Sequence, residues 1–378
     1  MTRFPSLLAG SAALLAACAT GAGHPVRSPV RTVASLAPPV RTVPFVWGVN
    51  GHPARASEAY GWSEGDDRLQ RQMRLVGELG FSHYRVDVGV GMDGAEGGRL
   101  AAVAAAADRA GITVLPVLTF GPETVPAAPA EAYRAGRAIA EGFVRNHGAR
   151  FPVVEIGNEL DIAAMIRGQP VGHHDDHYRA ADVDRFAALL RGAVEGLRAG
   201  APAVRSIVNF AGSHTGFVRM LLERGVAFDI VGWHLYVDEA GYGDDPPNRA
   251  DYRATLARLD TLDREVWITE VNRYRGSGPG TSRAAAQAAV LDRLADKMYA
   301  RPLIGAFLVY QLLDETAVLD NHDAAGRAIA GDEDEAWYGL VHCAGPLEVA
   351  RRCGGALELK QWQARRPTLA LGDAWRGR

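Results

Sequence analysis

The chain has 378 residues, of which 48% are hydrophobic and 22% charged, a composition typical of globular proteins with a large buried core. Its 41 basic and 44 acidic residues give a net charge of −3 and are well mixed along the sequence. The sequence has no basic stripe and no block of one sign, so its charge pattern excludes nucleic acid as an expected partner.

The first 17 residues are typical of a secretory signal. Arg3 precedes an apolar stretch that is too short to span a membrane. Its end, "LAAC" at 15–18, resembles the lipobox of bacterial lipoproteins, in which the cysteine is lipidated and becomes the mature N-terminus. The resemblance implies attachment through lipid on Cys18 alone, and Ala19 favours the outer membrane, facing the periplasm or the cell surface. A plain signal peptide with an incidental cysteine is the alternative.

Residues 18–43 are rich in Pro, Ala and Val without a period, which predicts a tether between the anchor and a domain at 44–378. In that domain short β-rich runs alternate with longer helical runs. The predicted strands are 45–51, 83–89, 112–120, 152–159, 205–212, 228–237, 266–272 and 304–314. The predicted helices are 65–79, 97–110, 130–147, 182–199, 215–224, 250–262 and 282–299, with a last one within 355–368.

Eight strands that alternate with helices indicate an α/β fold, a (β/α)8 barrel formed by a single domain. Many of these strands are apolar on both faces, as buried parallel strands are. An open doubly wound sheet is the competing fold. That fold is expected to carry a glycine-rich turn after its first strand, and "WGVNGHP" at 47–53 is not such a turn.

Polar side chains gather at the predicted C-terminal ends of the strands, where the active face of such a barrel lies. Glu159 ends strand four and Glu270 ends strand seven, on opposite sides of the predicted barrel mouth. Two such carboxylates can divide the work of glycoside hydrolysis, one ionised and one protonated. A separation of roughly 5–5.5 Å indicates a retaining route, and one of roughly 6.5–9.5 Å an inverting route. The other polar residues at these ends are Asn50, His52, Arg85, Asp87, Asn158, Asn209, His214, His234, Tyr236, Asn272, Tyr310, Gln311 and Asp314.

Three motifs, "IGNELD" (156–161), "WHLYV" (233–237) and "WITEVN" (267–272), together resemble the clan A glycoside hydrolases, which are retaining (β/α)8 enzymes. "VNGHP", "YRVDV" and "VYQLLDE" are similar to the family 39-type branch, which includes bacterial exopolysaccharide hydrolases. The resemblance spans about residues 45–340. It implies a hydrolase that cleaves O-glycosidic bonds of a polysaccharide or oligosaccharide and needs neither metal nor cofactor.

The resemblance also implies roles for single residues. Glu159 would be the general acid/base and Glu270 the nucleophile, and Arg85 would keep Glu270 ionised. The remaining residues are expected around the sugar, with Asn158 at its 2-hydroxyl, Tyr236 orienting the nucleophile, His234 beside it, and Asn50, His52, Asn209 and Tyr310 as further contacts. The alternatives are turn or loop structure for Asn50, His52 and Asn209, rim packing for Tyr236, a satisfied core histidine for His234, and a structural partner of Asp87 for Arg85.

Many clan A enzymes carry a tryptophan platform beneath the sugar at the end of strand eight. This chain has "VYQLLDE" there, so Tyr310 or, from the following loop, Trp337 would have to supply that surface.

Other functions remain open at the level of sequence. A catalytically inactive barrel that binds glycan for polysaccharide synthesis or export would keep the same fold, and transglycosylation would use the same residues. A metal-dependent hydrolase usually begins with His-x-His at strand one, which "WGVNGHP" lacks. The run "GHHDDHY" at 172–178 is interpreted as a solvated loop rather than a metal site. We expect a monomer whose partner is carbohydrate.

Cys343 and Cys353 are the other two cysteines of the chain. In an exported protein we expect them to pair and close a short loop, and two free buried thiols are the alternative.

Overall fold

The computed structural model describes residues 44–54, 59–63, 65, 67–89, 94–166, 171–238, 252–279, 282–320, 335–343, 357–360 and 362. The predicted signal peptide and tether, with Cys18, lie outside the described residues, as does Cys353. Within the described parts of the chain, no helix has both the length and the apolar character needed to cross a membrane.

Eight parallel strands close into a barrel in chain order, and the eighth pairs with the first. The strands are β1 Val46–Gly51, β2 His83–Gly89, β3 Thr113–Thr119, β4 Val153–Ile156, β5 Arg205–Ala211, β6 Ile230–Val237, β7 Glu265–Arg273 and β8 Ile304–Val309. Helices lie between successive strands, so the predicted (β/α)8 barrel is confirmed.

The helices are α1 Arg68–Glu78, α2 Gly94–Ala110, α3 Pro129–His147, α4 Leu160–Ala164, α5 Ala180–Gly200, α6 Thr215–Glu223, α7 Tyr252–Leu259 and α8 Ala284–Tyr299. Helix α4 is a five-residue turn that directly follows Glu159. The helix that covers the barrel after β4 is therefore α5, which packs closely on α3. A Cβ atom at Gly136 would lie 2.0 Å from the Leu189 carbonyl oxygen, so glycine is needed for this approach.

The barrel interior changes from apolar to polar along the strands. One apolar cluster fills its lower part and consists of Leu115, Val153, Ile207, Ile230, Trp267, Ala306 and Leu308. Side chains two residues apart on a strand point to the same face. Glu155, Asn209 and Thr269 follow Val153, Ile207 and Trp267 by two residues, and all three are buried. The polar layer of the site therefore lies directly on this apolar floor.

Two predicted strands end earlier in the structure. The predicted strand 152–159 stops at Ile156, because Gly157 (φ 81°) and Glu159 (φ 49°) adopt left-handed conformations that turn the chain. The predicted strand 304–314 stops at Val309. Beyond it, the Gln311 N–H donates to the Tyr338 carbonyl and the Asp314 N–H to the Val341 carbonyl, so this segment pairs with a later part of the chain.

Within the predicted helix 355–368, Trp362 is helical, but residues 357–359 are not. There the chain forms β10, Leu357–Leu359, which pairs antiparallel with β9, Val341–Cys343. Cys343 is buried and disulfide-bonded. Because Cys353 lies outside the described residues, the pairing of Cys343 with Cys353 stays a prediction.

Candidate active site

Glu159 reaches the barrel mouth on a sharp turn at the end of β4. Its backbone is left-handed (φ 49°), a conformation that costs a residue with a side chain about 1–3 kcal/mol. The Glu159 N–H donates to Asn209 Oδ1 over 2.8 Å, which holds this turn against β5. The side chain of Glu159 is 27% exposed, so its carboxylate is accessible from the cleft.

Glu270 lies on an irregular part of β7. The pairing of β7 shifts register between Ile268 and Val271 on the β8 side, which marks a bulge around Glu270. Tyr236 Oη donates to Glu270 Oε2 over 2.6 Å, and Arg85 Nη1 donates to Oε1 over 2.6 Å. The side chain is 9% exposed. The bulge therefore turns a carboxylate into the pocket, where a hydroxyl and a guanidinium hold both of its oxygens.

The two glutamates face one another. Glu159, Glu270 and His234 each place one side-chain atom within 4.8 Å of the other two. The sequence-based hypothesis requires two carboxyl groups that are close enough to flank one sugar bond. The structure has this arrangement. It matches the roughly 5–5.5 Å of retaining enzymes better than the wider gap of inverting ones.

Arg85 connects the glutamate pair to the rest of the barrel. It is buried, and its Nε donates to Glu155 Oε2 over 2.6 Å. Nη1 also donates to Asn50 Oδ1 (2.8 Å), and Nη2 donates to Asn158 Oδ1 (3.1 Å). Burial opposes the charge, but Glu155 and Glu270 raise the pKa of Arg85 above its ordinary value. Arg85 is therefore a permanent cation beside Glu270.

Glu155 is the central residue that the sequence reasoning did not identify. Its Oε1 accepts hydrogen bonds from Asn209 Nδ2 (2.6 Å) and Thr269 Oγ1 (3.1 Å). Burial disfavours its charge, yet Arg85 and His234 lower the pKa of Glu155 to about 2. The signal in the sequence was a single carboxylate within the apolar run "VVEI", because a buried charge requires a partner.

His234 lies at the centre of the three carboxylates and is fully buried. Its Nδ1 is 2.7 Å from Glu159 Oε1 and 3.6 Å from Glu270 Oε2, and its Nε2 is 3.6 Å from Glu155 Oε1. Burial lowers the tendency of the ring to carry charge, but Glu270, Glu155 and Glu159 outweigh it and raise the pKa of His234 to about 10.

Three tyrosines form an aromatic wall beside Glu270. The ring of Tyr236 lies 6.2 Å from that of Tyr310 and 5.3 Å from that of Tyr338, measured between centroids. Burial raises the pKa values of Tyr236 and Tyr310 well above the ordinary value, so their hydroxyls stay protonated. Of the two predicted platform candidates, Tyr310 belongs to this wall, whereas Trp337 packs near His342 at 6.2 Å.

Tyr310 and His52 extend the site toward β1 and β2. The Tyr310 hydroxyl is 3.2 Å from His52 Nε2, and His52 Nδ1 is 3.1 Å from Asp87 Oδ2. Asp87 therefore pairs with His52, while Arg85, two residues earlier, pairs with Glu155 and Glu270.

Burial separates the predicted sugar contacts into two groups. Three of them, Asn50, Asn209 and His234, have at most 3% of their surface exposed, as does Arg85. The polar atoms of these residues bond to one another and to Glu155 and Glu159. Asn158, Tyr236 and Tyr310 are half-buried and His52 retains 8% exposure, which keeps these four available to a ligand.

Other polar residues at the strand ends belong to the framework. Asn272 Nδ2 donates to the Tyr338 carbonyl over 2.8 Å, and Gln311 Oε1 accepts from Tyr60 Oη over 3.1 Å. His214 Nδ1 lies 2.5 Å from Asp161 Oδ2, within the β4–β5 side of the barrel. None of these contacts reaches Glu159 or Glu270.

A metal ion is the remaining chemical possibility for the site. Among the described residues, the one group of His, Cys, Asp or Glu side chains close enough to hold an ion consists of Glu159, His234 and Glu270. His234 Nδ1 already lies 2.7 Å from Glu159 Oε1. The Arg85 guanidinium provides positive charge next to Glu270. A cation would therefore compete with charges that the protein itself supplies.

Comparisons with known proteins support the fold. No protein-family model and no curated protein matches this chain. Among solved structures, a β-glycosidase is similar with a TM-score of 0.57 at 15% identity, covering 86% of this chain and 96% of its own. A family 1 β-glucosidase from Thermotoga maritima reaches 0.57 at 13% identity, covering 86% and 97%. Xylanase 10B from Thermotoga petrophila, in complex with xylobiose, reaches 0.53 at 16% identity, covering 74% and 86%.

Proposed function

We propose that this protein is a retaining glycoside hydrolase that cleaves O-glycosidic bonds in a polysaccharide or oligosaccharide, with a bacterial exopolysaccharide as one candidate. The observation that carries the proposal is the approach of Glu159 and Glu270, whose carboxylates come within 4.8 Å across one pocket. The similar solved structures are a β-glycosidase, a β-glucosidase and a xylanase, which agrees with the proposal at the level of fold.

In the first step, Glu270 attacks the anomeric carbon. A bond forms between its carboxylate and that carbon, and the bond to the departing oxygen breaks. Arg85 Nη1 and Tyr236 Oη donate to the two oxygens of Glu270 and orient it for this attack. Charge-assisted hydrogen bonds of this kind are about twice as strong as neutral ones.

Glu159 transfers the proton in both steps. It protonates the departing oxygen, then removes a proton from the water that attacks the glycosyl-enzyme and releases Glu270. The His234 ring bonds Glu159 Oε1, which directs the other oxygen, Oε2, toward the substrate. The greater exposure of Glu159, 27% against 9% for Glu270, suits the group that must meet both leaving group and water.

A screen of reducing-sugar release over a panel of polysaccharides tests the proposal, with Glu270→Gln as the matched control. We expect release from at least one substrate by the wild type and loss of release in the variant, whose melting temperature should stay close to that of the wild type. Wild-type activity in Glu270→Gln would remove Glu270 from the mechanism. Binding of a glycan without any release by the wild type would favour the inactive glycan-binding barrel.

We further propose that the protein is exported and lipid-anchored through Cys18. The supporting observation is the sequence "LAAC" at 15–18, and this segment lies outside the described residues. Labelling of the expressed full chain with a fatty-acid analogue should mark the wild type and not Cys18→Ser. Equal labelling of both would contradict the anchor without touching the proposed enzymatic activity.

A further inference from the structure

The polar layer of the site contains a third carboxylate, besides the two proposed for catalysis. Glu155 is fully buried on β4, beneath Glu159. Its two oxygens contact one cation each from two different strands: Oε2 accepts from Arg85 Nε (2.6 Å), and Oε1 faces His234 Nε2 (3.6 Å). Each of those two cations also contacts one of the proposed catalytic glutamates.

We propose that Glu155 is a positioning residue whose buried negative charge fixes the protonated His234 against Glu159 and the Arg85 guanidinium against Glu270. This inference rests on the proposed function for its catalytic consequence, but the contacts of Glu155 do not depend on it. Glu155 is fully buried and does not reach the pocket opening, so it acts through its two cationic neighbours.

The contacts of His234 decide between two states of its ring. Its Nε2 lies between Glu155 Oε1 at 3.6 Å and Arg85 Nη2 at 3.4 Å. A doubly protonated ring points its Nε2–H at Glu155, whereas a neutral ring accepts an N–H from Arg85 instead.

All ionisable groups around the ring must be counted to choose between these states. Arg85 comes from β2, Glu155 and Glu159 from β4, and Glu270 from β7. The β5 neighbour, Asn209, is uncharged. Glu159 holds a proton before the first step of the proposed mechanism, so the charged neighbours are the carboxylates of Glu155 and Glu270 and the guanidinium of Arg85. The positive ring brings these buried charges into balance. Glu155 is the member whose charge serves no step of the proposed reaction.

The neighbours of Glu155 explain why it also fixes geometry. Asn209 Nδ2 donates to Glu155 Oε1 over 2.6 Å, while Asn209 Oδ1 accepts the backbone N–H of Glu159 over 2.8 Å. Thr269, directly before Glu270, donates its hydroxyl to the same Oε1 over 3.1 Å. Glu155 is thereby hydrogen-bonded to a residue beside each proposed catalytic glutamate: Asn209 beside Glu159, and Thr269 beside Glu270.

The first test reads the His234 ring directly and needs no turnover. The protein is labelled with 15N-histidine, and the signal of His234 is assigned by its loss in His234→Asn. In the wild type we expect both ring nitrogens protonated from pH 6 to at least about 8. In Glu155→Gln, which keeps the shape and removes the charge, we expect the titration midpoint to fall by at least about one pH unit.

Thr269→Val is the matched control, because it removes a hydrogen bond to Glu155 without changing any charge. Its His234 midpoint should stay at the wild-type value. A wild-type ring with Nε2 unprotonated at neutral pH would overturn the proposal, and this holds even if Glu155→Gln fails to fold. An unchanged midpoint in a folded Glu155→Gln would overturn it as well.

The second test uses the pH profile of kcat/KM on whichever substrate the wild type cleaves. Glu155→Gln changes both a charge near the attacking carboxylate and the hold on Arg85, so the acidic limb of its profile should move by about one pH unit. Glu155→Asp keeps the charge and should return the acidic limb toward its wild-type position. Thr269→Val should lower activity without moving the limb.

A fall in the activity of Glu155→Gln with an unmoved acidic limb would contradict the proposal. A wild type without any turnover would refute the proposed function and leave the decision on Glu155 to the histidine titration.

Discussion

Glu159 and Glu270, 111 positions apart in the chain, bring one carboxylate oxygen each to within 4.8 Å of one another. Glu159 follows the end of β4, and Glu270 lies within β7. The backbone is irregular at both positions: Glu159 is left-handed, and Glu270 lies at a β-bulge. This close approach is nearer to the separation of retaining glycosidases than to the wider gap that an inverting mechanism requires.

The separation predicts the stereochemistry of the product. We expect the first sugar released from a chromogenic glycoside to keep the anomeric configuration of the substrate, because Glu270 rather than water attacks first. Proton NMR spectra taken within the first minutes, before the product mutarotates, measure this. A product of inverted configuration would show that the two carboxylates move apart when substrate binds and would contradict the covalent route.

The covalent intermediate predicts where a mechanism-based label will attach. A 2-deoxy-2-fluoro glycoside with a good leaving group should accumulate as an ester on Glu270, because the fluorine slows the second step more than the enzyme-assisted first. Peptide mass spectrometry should locate the label in the peptide that contains Glu270. Glu265→Gln, on the same strand, should label like the wild type, and Glu270→Gln should not label. A label found on Glu159 instead would reverse the two roles.

Tyr236→Phe removes the hydroxyl that donates to Glu270 Oε2 over 2.6 Å. A hydrogen bond to a charged group contributes about 1.5–3 kcal/mol, so we expect kcat/KM to fall by roughly tenfold to a hundredfold. The loss should appear mainly in kcat, since the bond orients the nucleophile. Tyr133→Phe, on the outer helix α3, is the control and should keep wild-type activity. Activity of Tyr236→Phe within a factor of two of wild type would show that Arg85 alone orients Glu270.

The barrel and most of its strands were predictable because their signals are local. Buried parallel strands are apolar on both faces, and the segments between them are long enough to form helices. The ends of β4 and β8 were not predictable in the same way. Gly157 and Glu159 take left-handed conformations, and residues 310–314 form hydrogen bonds with 338–341, a pairing that no local pattern contains.

The positions of the two glutamates at strand ends led to their prediction as catalytic residues, while the contacts of the residues behind them could not be predicted. Asn50, Asn209 and His234 look like sugar contacts in the sequence, since polar residues at strand ends usually face the cleft. In the structure they are buried because Glu155 and Arg85 form a charged layer below the pocket, and this layer needs partners. Only the three-dimensional pairing of β2, β4, β5 and β6 reveals that requirement.

The same charged layer predicts a stability maximum in mildly acidic solution. The pKa of His234 is raised from 6.5 to about 10, so its contribution to the free energy of unfolding is complete below pH 6.5 and is lost as the pH rises toward 10. The pKa of Glu155 is lowered from 4.5 to about 2, so its contribution is complete above pH 4.5 and is lost as the pH falls toward 2.

Urea unfolding from pH 4 to 9 measures this profile. We expect the wild type to lose stability steadily above about pH 6.5, and His234→Asn to show a flatter alkaline side because the titrating ring is gone. A wild-type profile that stays level from pH 6.5 to 9, or an equally steep decline in His234→Asn, would contradict the assignment of a charged ring.

A second buried pair lies behind the segment that follows β8. Lys360, next to β10, donates from Nζ to Asp314 Oδ1 over 2.6 Å and to Ser277 Oγ over 2.8 Å, and both members of the Lys360–Asp314 pair are buried. Burial lowers the pKa of Lys360, and Asp314 partly restores it. This pair fastens the C-terminal hairpin to the segment that also carries Tyr310.

Removal of one member of this pair leaves the other charge buried without its counter-ion. We therefore expect Lys360→Met to lower the free energy of unfolding by about 3–5 kcal/mol, and the double variant Lys360→Met, Asp314→Leu to recover much of that loss. The matched control is the exposed pair of Arg150 and Asp108, where Arg150→Met should cost less than about 1 kcal/mol. Urea unfolding at pH 7 measures all three variants. If Lys360→Met were no more costly than Arg150→Met, the hairpin would be held by β9–β10 pairing and the disulfide of Cys343 rather than by this ion pair.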